Sequence, residues 1–212
     1  MTTFHLIRHG TTAWVDQQLL HGITDIPLNE NGLRQAQKAA QAMRGISAQH
    51  LFTSPLSRAL QTAQVIGEMT GLTPQPLPGL KEINFGWMEG RKIRDDAQHS
   101  YPAWVRQMDH QWMSLVRLLS GESLGHFKRR IAREWQNILA LSEGQDAFIV
   151  AHSGVLSALL TILFGDAYLG EDLYYILYPC SITEFTLDET GRANLVRLNE
   201  HAHLGEWYPH AH

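Results

Sequence analysis

The chain has 212 residues, 44% of them apolar, and a formal net charge of −4 from 17 Lys and Arg against 21 Asp and Glu. That length fits one domain with an inserted subregion better than two domains, and its slight acidity with dispersed basic residues excludes nucleic acid or an anionic membrane as the main ligand. The lone cysteine, Cys180, excludes an internal disulfide; with no apolar run long enough to span a bilayer and no signal-like start, a soluble cytoplasmic protein is expected.

Thr3–Ile7 (TFHLI) is an apolar run that predicts a buried strand, and it leads directly into Arg8, His9 and Gly10. Open α/β sheets bind ligands beyond the carboxyl ends of their strands, which puts Arg8 and His9 at a pocket mouth. Arginine offers a rigid fork of donors for phosphate or carboxylate oxygens, and imidazole serves as base, nucleophile or metal ligand. The polar stretch 11–29, interrupted by Gly22 and Pro27, predicts a loop that wraps the pocket. A helix follows over Glu30–Arg44, with Leu33, Ala36, Ala40 and Met43 on its apolar face and Gly45 ending it.

Leu51–Ser54 predicts a second strand. Ser54 as N-cap and Pro55 at the first helical position then open a helix through Arg58, Thr62 and Ile66 that stops at Gly71. Arg58 therefore falls in a first helical turn, where unpaired N–H groups and the helix dipole favour an anion. Pro74–Pro78 predicts an extended stretch, followed by the loop LKEINFGWMEG over Leu80–Gly90. Residues 91–119, with Tyr101, Trp104 and Trp112, predict a helical cap insertion whose aromatic residues serve packing and, where the cap covers a pocket, substrate contact as well. An amphipathic helix over Ser123–Leu141 leads into the strand Ala147–Ala151, then His152-Ser153-Gly154 and the apolar helix Val155–Phe164. Ile182–Leu187 and Ala193–Leu198 read as strands joined by a turn over 188–192.

Alternating strands and helices predict an α/β fold. Three strand ends deliver Arg8 with His9, Arg58, and His152 toward one edge of the sheet. Two arginines and two histidines suit a doubly charged oxyanion, since charge-assisted hydrogen bonds contribute about 1.5–3 kcal/mol each. No carboxylates accompany these motifs in sequence, which favours an exogenous anion over a structural ion-pair network.

The segments LIRHGTTAW, TSPLSRALQTA, LKEINFGWMEG and IVAHSGVL resemble, in order and separation, the four signature segments of the histidine phosphatase superfamily, in its phosphoglycerate-mutase-like branch. The resemblance implies a three-layer α/β/α sandwich with a mostly parallel central sheet, one domain over 1–212 with 91–119 as cap insertion, and no metal or other cofactor. It implies that His9 is the nucleophile that forms a phosphohistidine, with Arg8, Arg58 and His152 on the phosphoryl oxygens. Glu82 falls where phosphatases of this group keep their proton donor, and pocket anions are expected to raise its pKa.

Val15 stands where the family often has a phosphate-binding asparagine, leaving Thr12, His21 or Ser153 to replace that contact. Gly22 matches the family's loop at the pocket edge, and His21 beside it is a candidate substrate contact. The tail, with His201, His203, His210 and His212, lacks the carboxylate or cysteine partners of a defined metal site. It is similar to the tail of metal-independent phosphoserine phosphatases, which makes His203 a further candidate substrate contact. A phosphomonoester hydrolase acting on a small phosphorylated metabolite is expected, with a phosphoglycerate mutase and a non-catalytic phosphate sensor as alternatives. The physiological substrate and a homodimeric state are left open.

Overall fold

Ala147–Ala151 is buried at every position, so both faces of this strand need a cover. In the computed structural model, which describes residues 1–92, 121–165, 175 and 177–207, each face has its own layer of helices. Ala147, Ile149 and Ala151 join one apolar cluster with Phe127, Ile131, Trp135 and Ile138 of α4 (Leu124–Ser142) and Val155, Leu156 and Leu159 of α5 (Ser153–Phe164). Phe148 and Val150 turn to the opposite face. There they meet Ala40 and Met43 of α2 (Glu30–Met43) and Ala59, Ala63 and Ile66 of α3 (Ser57–Thr70). The period of two thus divides one strand between two cores, and the result is the three-layer α/β/α sandwich.

With Ala147–Ala151 as β4, the sheet comprises β1 (Thr2–Arg8), β2 (His50–Thr53), β3 (Gln75–Pro76), β5 (Ile182–Leu187) and β6 (Ala193–Glu200), in the order β3-β2-β4-β1-β5-β6. Pairings β3-β2, β2-β4 and β4-β1 are parallel, and β1-β5 and β5-β6 are antiparallel. The sheet is mixed, and mostly parallel where the site lies. Register aligns the strand ends: Arg8 pairs with Ala151 and Thr53 with Val150, so β1, β4 and β2 end nearly level. The next amides continue the ladder, His9 N–H to the Ala151 carbonyl at 2.9 Å and Ser54 N–H to the Val150 carbonyl at 3.0 Å. His9, Ser54 and His152 consequently leave the sheet side by side.

Several local expectations are corrected. The third helix begins at Ser57, and its N-cap, Leu56, has no side-chain bond to give; the Ser54 hydroxyl accepts from Leu56 N–H at 3.3 Å and is committed elsewhere, so it caps nothing. Leu33 is 40% exposed, and the covered face of α2 is Gly32, Gln35, Ala36, Ala39, Ala40 and Met43. Small residues dominate that face because α2 packs closely on α3 and on the loop after β1. The loop 11–29 contains a short helix, α1 (Ala13–Asp16), capped by Thr12, and α5 starts two residues earlier than expected. Beyond Arg91 and Lys92 the cap segment lies outside the described residues, as do Tyr101, Trp104 and Trp112. Among the described residues no helix is long and apolar enough to cross a membrane.

Close approach of backbones holds the loop after β1 in place. A Cβ on Gly10 would lie 2.5 Å from the Gly32 carbonyl oxygen, and one on Gly32 would strike the Thr11 carbonyl. Replacing Gly32 with alanine is therefore expected to cost about 1–3 kcal/mol, as overpacking does. Urea denaturation should show a lower midpoint with an unchanged slope; an unchanged midpoint would mean that the loop accommodates the methyl group.

Candidate active site

Among the described residues, Arg58 is the largest fully buried side chain. Its Nε–H lies 3.3 Å from His9 Nε2 and 3.2 Å from His152 Nδ1, shared between the two imidazoles. Nη1 donates to the Thr24 carbonyl at 3.1 Å and Nη2 to the Gly22 carbonyl at 2.7 Å. A guanidinium has five N–H donors, so each terminal nitrogen still has a second N–H to offer. Burial pushes the Arg58 pKa down to about 10, against the opposing pull of Glu82, Asp25 and Glu89, and the group stays cationic at neutral pH.

The hydrogen bonds settle how the two histidines hold their protons. His9 Nδ1 is 2.7 Å from the Gly10 carbonyl oxygen, which can only accept, so the proton is on Nδ1. Nε2 then carries the lone pair, facing the Arg58 N–H. His152 is the reverse: Nδ1 accepts from Arg58, and Nε2 lies 2.8 Å from the Ser54 hydroxyl, to which it donates. The two rings are 5.1 Å apart between centroids. Burial, and then the charge of Arg58, holds both imidazoles well below their usual pKa, so both are neutral.

Around this pair the predicted residues gather unevenly. Arg8 donates from Nη1 to the Leu177 carbonyl at 2.5 Å, and its charge depresses His9, His21 and His152. The His21 ring lies tilted against Trp14 and edge-on to His9, with centroids 5.3 and 6.1 Å away, and its Nδ1 is 3.4 Å from the Thr12 hydroxyl. Burial, then Arg58 and Arg8, push its pKa down to about 3. Thr12 also accepts from Val15 N–H at 3.2 Å, so this hydroxyl caps α1 as well as facing His21. Gly22 contributes its carbonyl to Arg58, and Ser153 opens α5 directly after His152.

Glu82 reaches the site from the other side and is buried, at 6% exposure. Its Oε1 accepts from Ile83 N–H and its Oε2 from Gly154 N–H, both at 3.0 Å. A Cβ on Gly154 would sit 2.5 Å from Oε1, so the glycine of His152-Ser153-Gly154 admits the carboxyl group. The Glu82 pKa is raised, as expected from sequence, but burial is the main cause; the two backbone amides and both arginines oppose it without cancelling it.

His203 is held elsewhere. Its Nε2 is 3.0 Å from the Cys180 carbonyl and its Nδ1 3.2 Å from Glu200, which ties the C-terminal turn to the backbone beside β5. His210 and His212 lie outside the described residues. Three supporting groups escape the sequence reading: Ser54 on His152, Thr62, whose hydroxyl accepts from Gly10 N–H at 3.2 Å, and Glu89. The Glu89 carboxylate accepts from the amides of Ile23, Thr24 and Phe85 and so fastens the loop whose carbonyls hold Arg58. All three stand inside the motif segments, but their partners are far away in sequence.

Residues 4–201 match the family model of the histidine phosphatase superfamily (branch 1), and the chain belongs to that family. A Yersinia pestis protein named "Probable phosphoglycerate mutase GpmB" is 35% identical over 165 residues, 78% of this chain and 76% of the relative. Among solved structures, a phosphoserine phosphatase from Entamoeba histolytica in complex with 3-phosphoglyceric acid aligns with a TM-score of 0.76 and 28% identity, covering 96% of this chain and 100% of that one. The alpha-ribazole phosphatase from Shigella flexneri aligns with a TM-score of 0.74 and 26% identity, covering 94% and 96%.

Neutral buried histidines couple folding to pH. The unfolded chain protonates His9 and His152 near the ordinary value of about 6.5 while the folded chain does not, so the stability they contribute is present above that pH and lost below it. Each contributes up to about 1.4 kcal/mol per pH unit, whereas Glu82, with its raised pKa, binds its proton first in the folded state and offsets part of the loss. Chemical denaturation is expected to show stability falling from neutral pH to about pH 5, with the slope reduced by about one proton in His9→Asn. An unaltered slope in that variant would mean that His9 is not held neutral.

Proposed function

We propose that this member of the histidine phosphatase superfamily hydrolyses small phosphorylated metabolites through a phosphohistidine on His9. The observation that carries this is the 2.7 Å contact between His9 Nδ1 and the Gly10 carbonyl oxygen: it assigns the proton to Nδ1, so Nε2 presents a lone pair among cationic groups, as a nucleophile toward phosphorus requires.

In the first step the Nε2 lone pair attacks phosphorus, a P–N bond forms, and the P–O bond to the leaving alkoxide breaks. The second N–H groups of Arg58, together with Arg8, hold the phosphoryl oxygens and stabilise their charge; His152, whose Nε2–H is given to Ser54, joins them when its Nδ1 takes up a proton, which the negative charge of the bound phosphoryl group favours. Glu82 enters protonated, as its raised pKa allows, and gives its proton to the departing oxygen. In the second step Glu82, now a carboxylate, takes a proton from water; the oxygen attacks phosphorus, the P–N bond breaks, and its electron pair returns to Nε2. Inorganic phosphate leaves and both residues regain their starting states. His21, Thr12, Gly22 and Ser153 are read as the rim that meets the rest of the substrate. His203 has both nitrogens engaged by the protein and joins that rim only if the C-terminal turn rearranges. The chain is read as one domain with 91–119 as insertion, in the cytoplasm.

A mutase would return the phosphoryl group to a second substrate oxygen, and the likeness to the protein named GpmB gives that outcome its place in the test. Brief exposure to p-nitrophenyl phosphate should trap an acid-labile phosphoenzyme, absent in His9→Ala, and 3-phosphoglycerate with catalytic 2,3-bisphosphoglycerate should release phosphate faster than it yields 2-phosphoglycerate. A phosphoenzyme that persists in His9→Ala, or rapid 2-phosphoglycerate formation, would contradict the proposal. Glu82→Gln should lower kcat/KM for alkyl phosphates by about 10²–10⁴, the usual contribution of general acid catalysis, while p-nitrophenyl phosphate, whose leaving group departs without a proton, suffers far less.

A further inference from the structure

Arg130 and Glu122 form a charged pair that the proposed reaction does not use, and it grips the chain on both sides of Glu82. From the second turn of α4, Arg130 donates through Nε and Nη2 to the two oxygens of Glu122, at 2.9 and 2.7 Å. Its Nη1 donates to the carbonyls of Gly79 and Lys81, both at 2.8 Å, and its Nη2 reaches the carbonyl of Glu82 at 3.4 Å. On the far side of Glu82, the Asn84 amide donates to Glu122 at 3.3 Å. Burial alone would push the Glu122 carboxyl up; its hydrogen bonds to Arg130 and His126 outweigh burial and hold it below the usual range, ionised.

The segment held this way has no strand or α-helix of its own beyond a single turn at Pro78–Leu80. The Glu82 carboxyl is in turn anchored through the backbone amides of Ile83 and Gly154. Its place therefore depends on what fixes the surrounding peptide groups. A planar fork that reaches one carboxylate and three carbonyls at once is within the means of arginine and beyond those of lysine.

We propose that Arg130, locked by Glu122, is a positioning residue that sets Glu82 at proton-transfer distance from the leaving oxygen. This rests on the assignment of Glu82 as proton donor. Misplacement by about 1 Å costs a reacting group on the order of 10² in rate, so the loss should appear only where the proton matters.

The test compares kcat/KM, which reports the first phosphoryl transfer, for β-glycerophosphate and p-nitrophenyl phosphate. Arg130→Met is expected to lower the alkyl value about 10- to 100-fold and the aryl value less than about 3-fold. In a Glu82→Gln background, Arg130→Met should cost less than about 2-fold further, because the group it positions has lost its function. Glu122→Gln, which keeps the volume and removes the charge, should give a smaller loss with the same alkyl-over-aryl selectivity, and it reads the effect even if Arg130→Met fails to fold. Equal losses on both substrates, or a loss that multiplies fully with Glu82→Gln, would overturn the inference and reduce Arg130 to a fold-supporting residue. Unchanged alkyl turnover in Glu82→Gln alone would instead remove Glu82 as donor, and the role of Arg130 with it.

Discussion

A single N–H of a buried guanidinium, shared between His9 Nε2 and His152 Nδ1, is the contact on which the rest of the site depends. It fixes both ring orientations, it is compatible only with neutral imidazoles, and it leaves the lone pair of His9 facing the cation. The cost is a charge out of water, and the structure offsets it with carbonyl groups: Gly22 and Thr24 take the terminal nitrogens. Those carbonyls belong to a loop with little regular structure, held by the Glu89 carboxylate through the backbone amides of Ile23 and Thr24. Removing the guanidinium would leave buried acceptors unpaired, a loss that reaches folding as well as chemistry.

The sheet makes that contact reachable. Because β4 lies between β1 and β2 in parallel register, the strand ends that carry His9, Ser54 and His152 come out level and adjacent. Helix α3 then brings Arg58 beneath them from one face while α5 starts at His152 on the other, so an arginine and a helix N-terminus, both suited to an anion, meet at one end of the sheet. Small residues are where backbones cross: Gly10 against Gly32 sets the loop after β1, and Gly154 against Glu82 admits the carboxyl group. An alanine at either place would fill the space that the neighbouring element occupies.

Much of this is legible in the chain itself. The apolar runs at Thr3–Ile7 and Ala147–Ala151, each followed at once by Arg-His or His-Ser-Gly, predict two of the strand ends, and strand β4 begins and ends where its hydrophobic pattern does. Arg58, His9, His152 and Glu82 all stand out in the sequence, and the structure brings their side chains together. Helix starts are less legible: Ser54-Pro55 has the form of an N-cap and first turn, yet the helix waits until Ser57 because the Ser54 hydroxyl is committed to His152. Leu33 falls on the exposed side of α2 because tight helix packing selects glycine and alanine over leucine at the contact. The cause of the raised Glu82 pKa, and the Arg130–Glu122 grip on its loop, depend on burial and on carbonyl groups that no residue pattern advertises.

The central claim is that His9 waits as a neutral imidazole with its proton on Nδ1. Side-chain nitrogen NMR of the ligand-free protein, with the His9 signals assigned by comparison with His9→Asn, measures this directly. A protonated Nδ1 and a bare Nε2 are predicted to persist from neutral pH down to about pH 5, well past the ordinary imidazole titration. A proton on Nε2, or an imidazolium forming near pH 6.5, would contradict it.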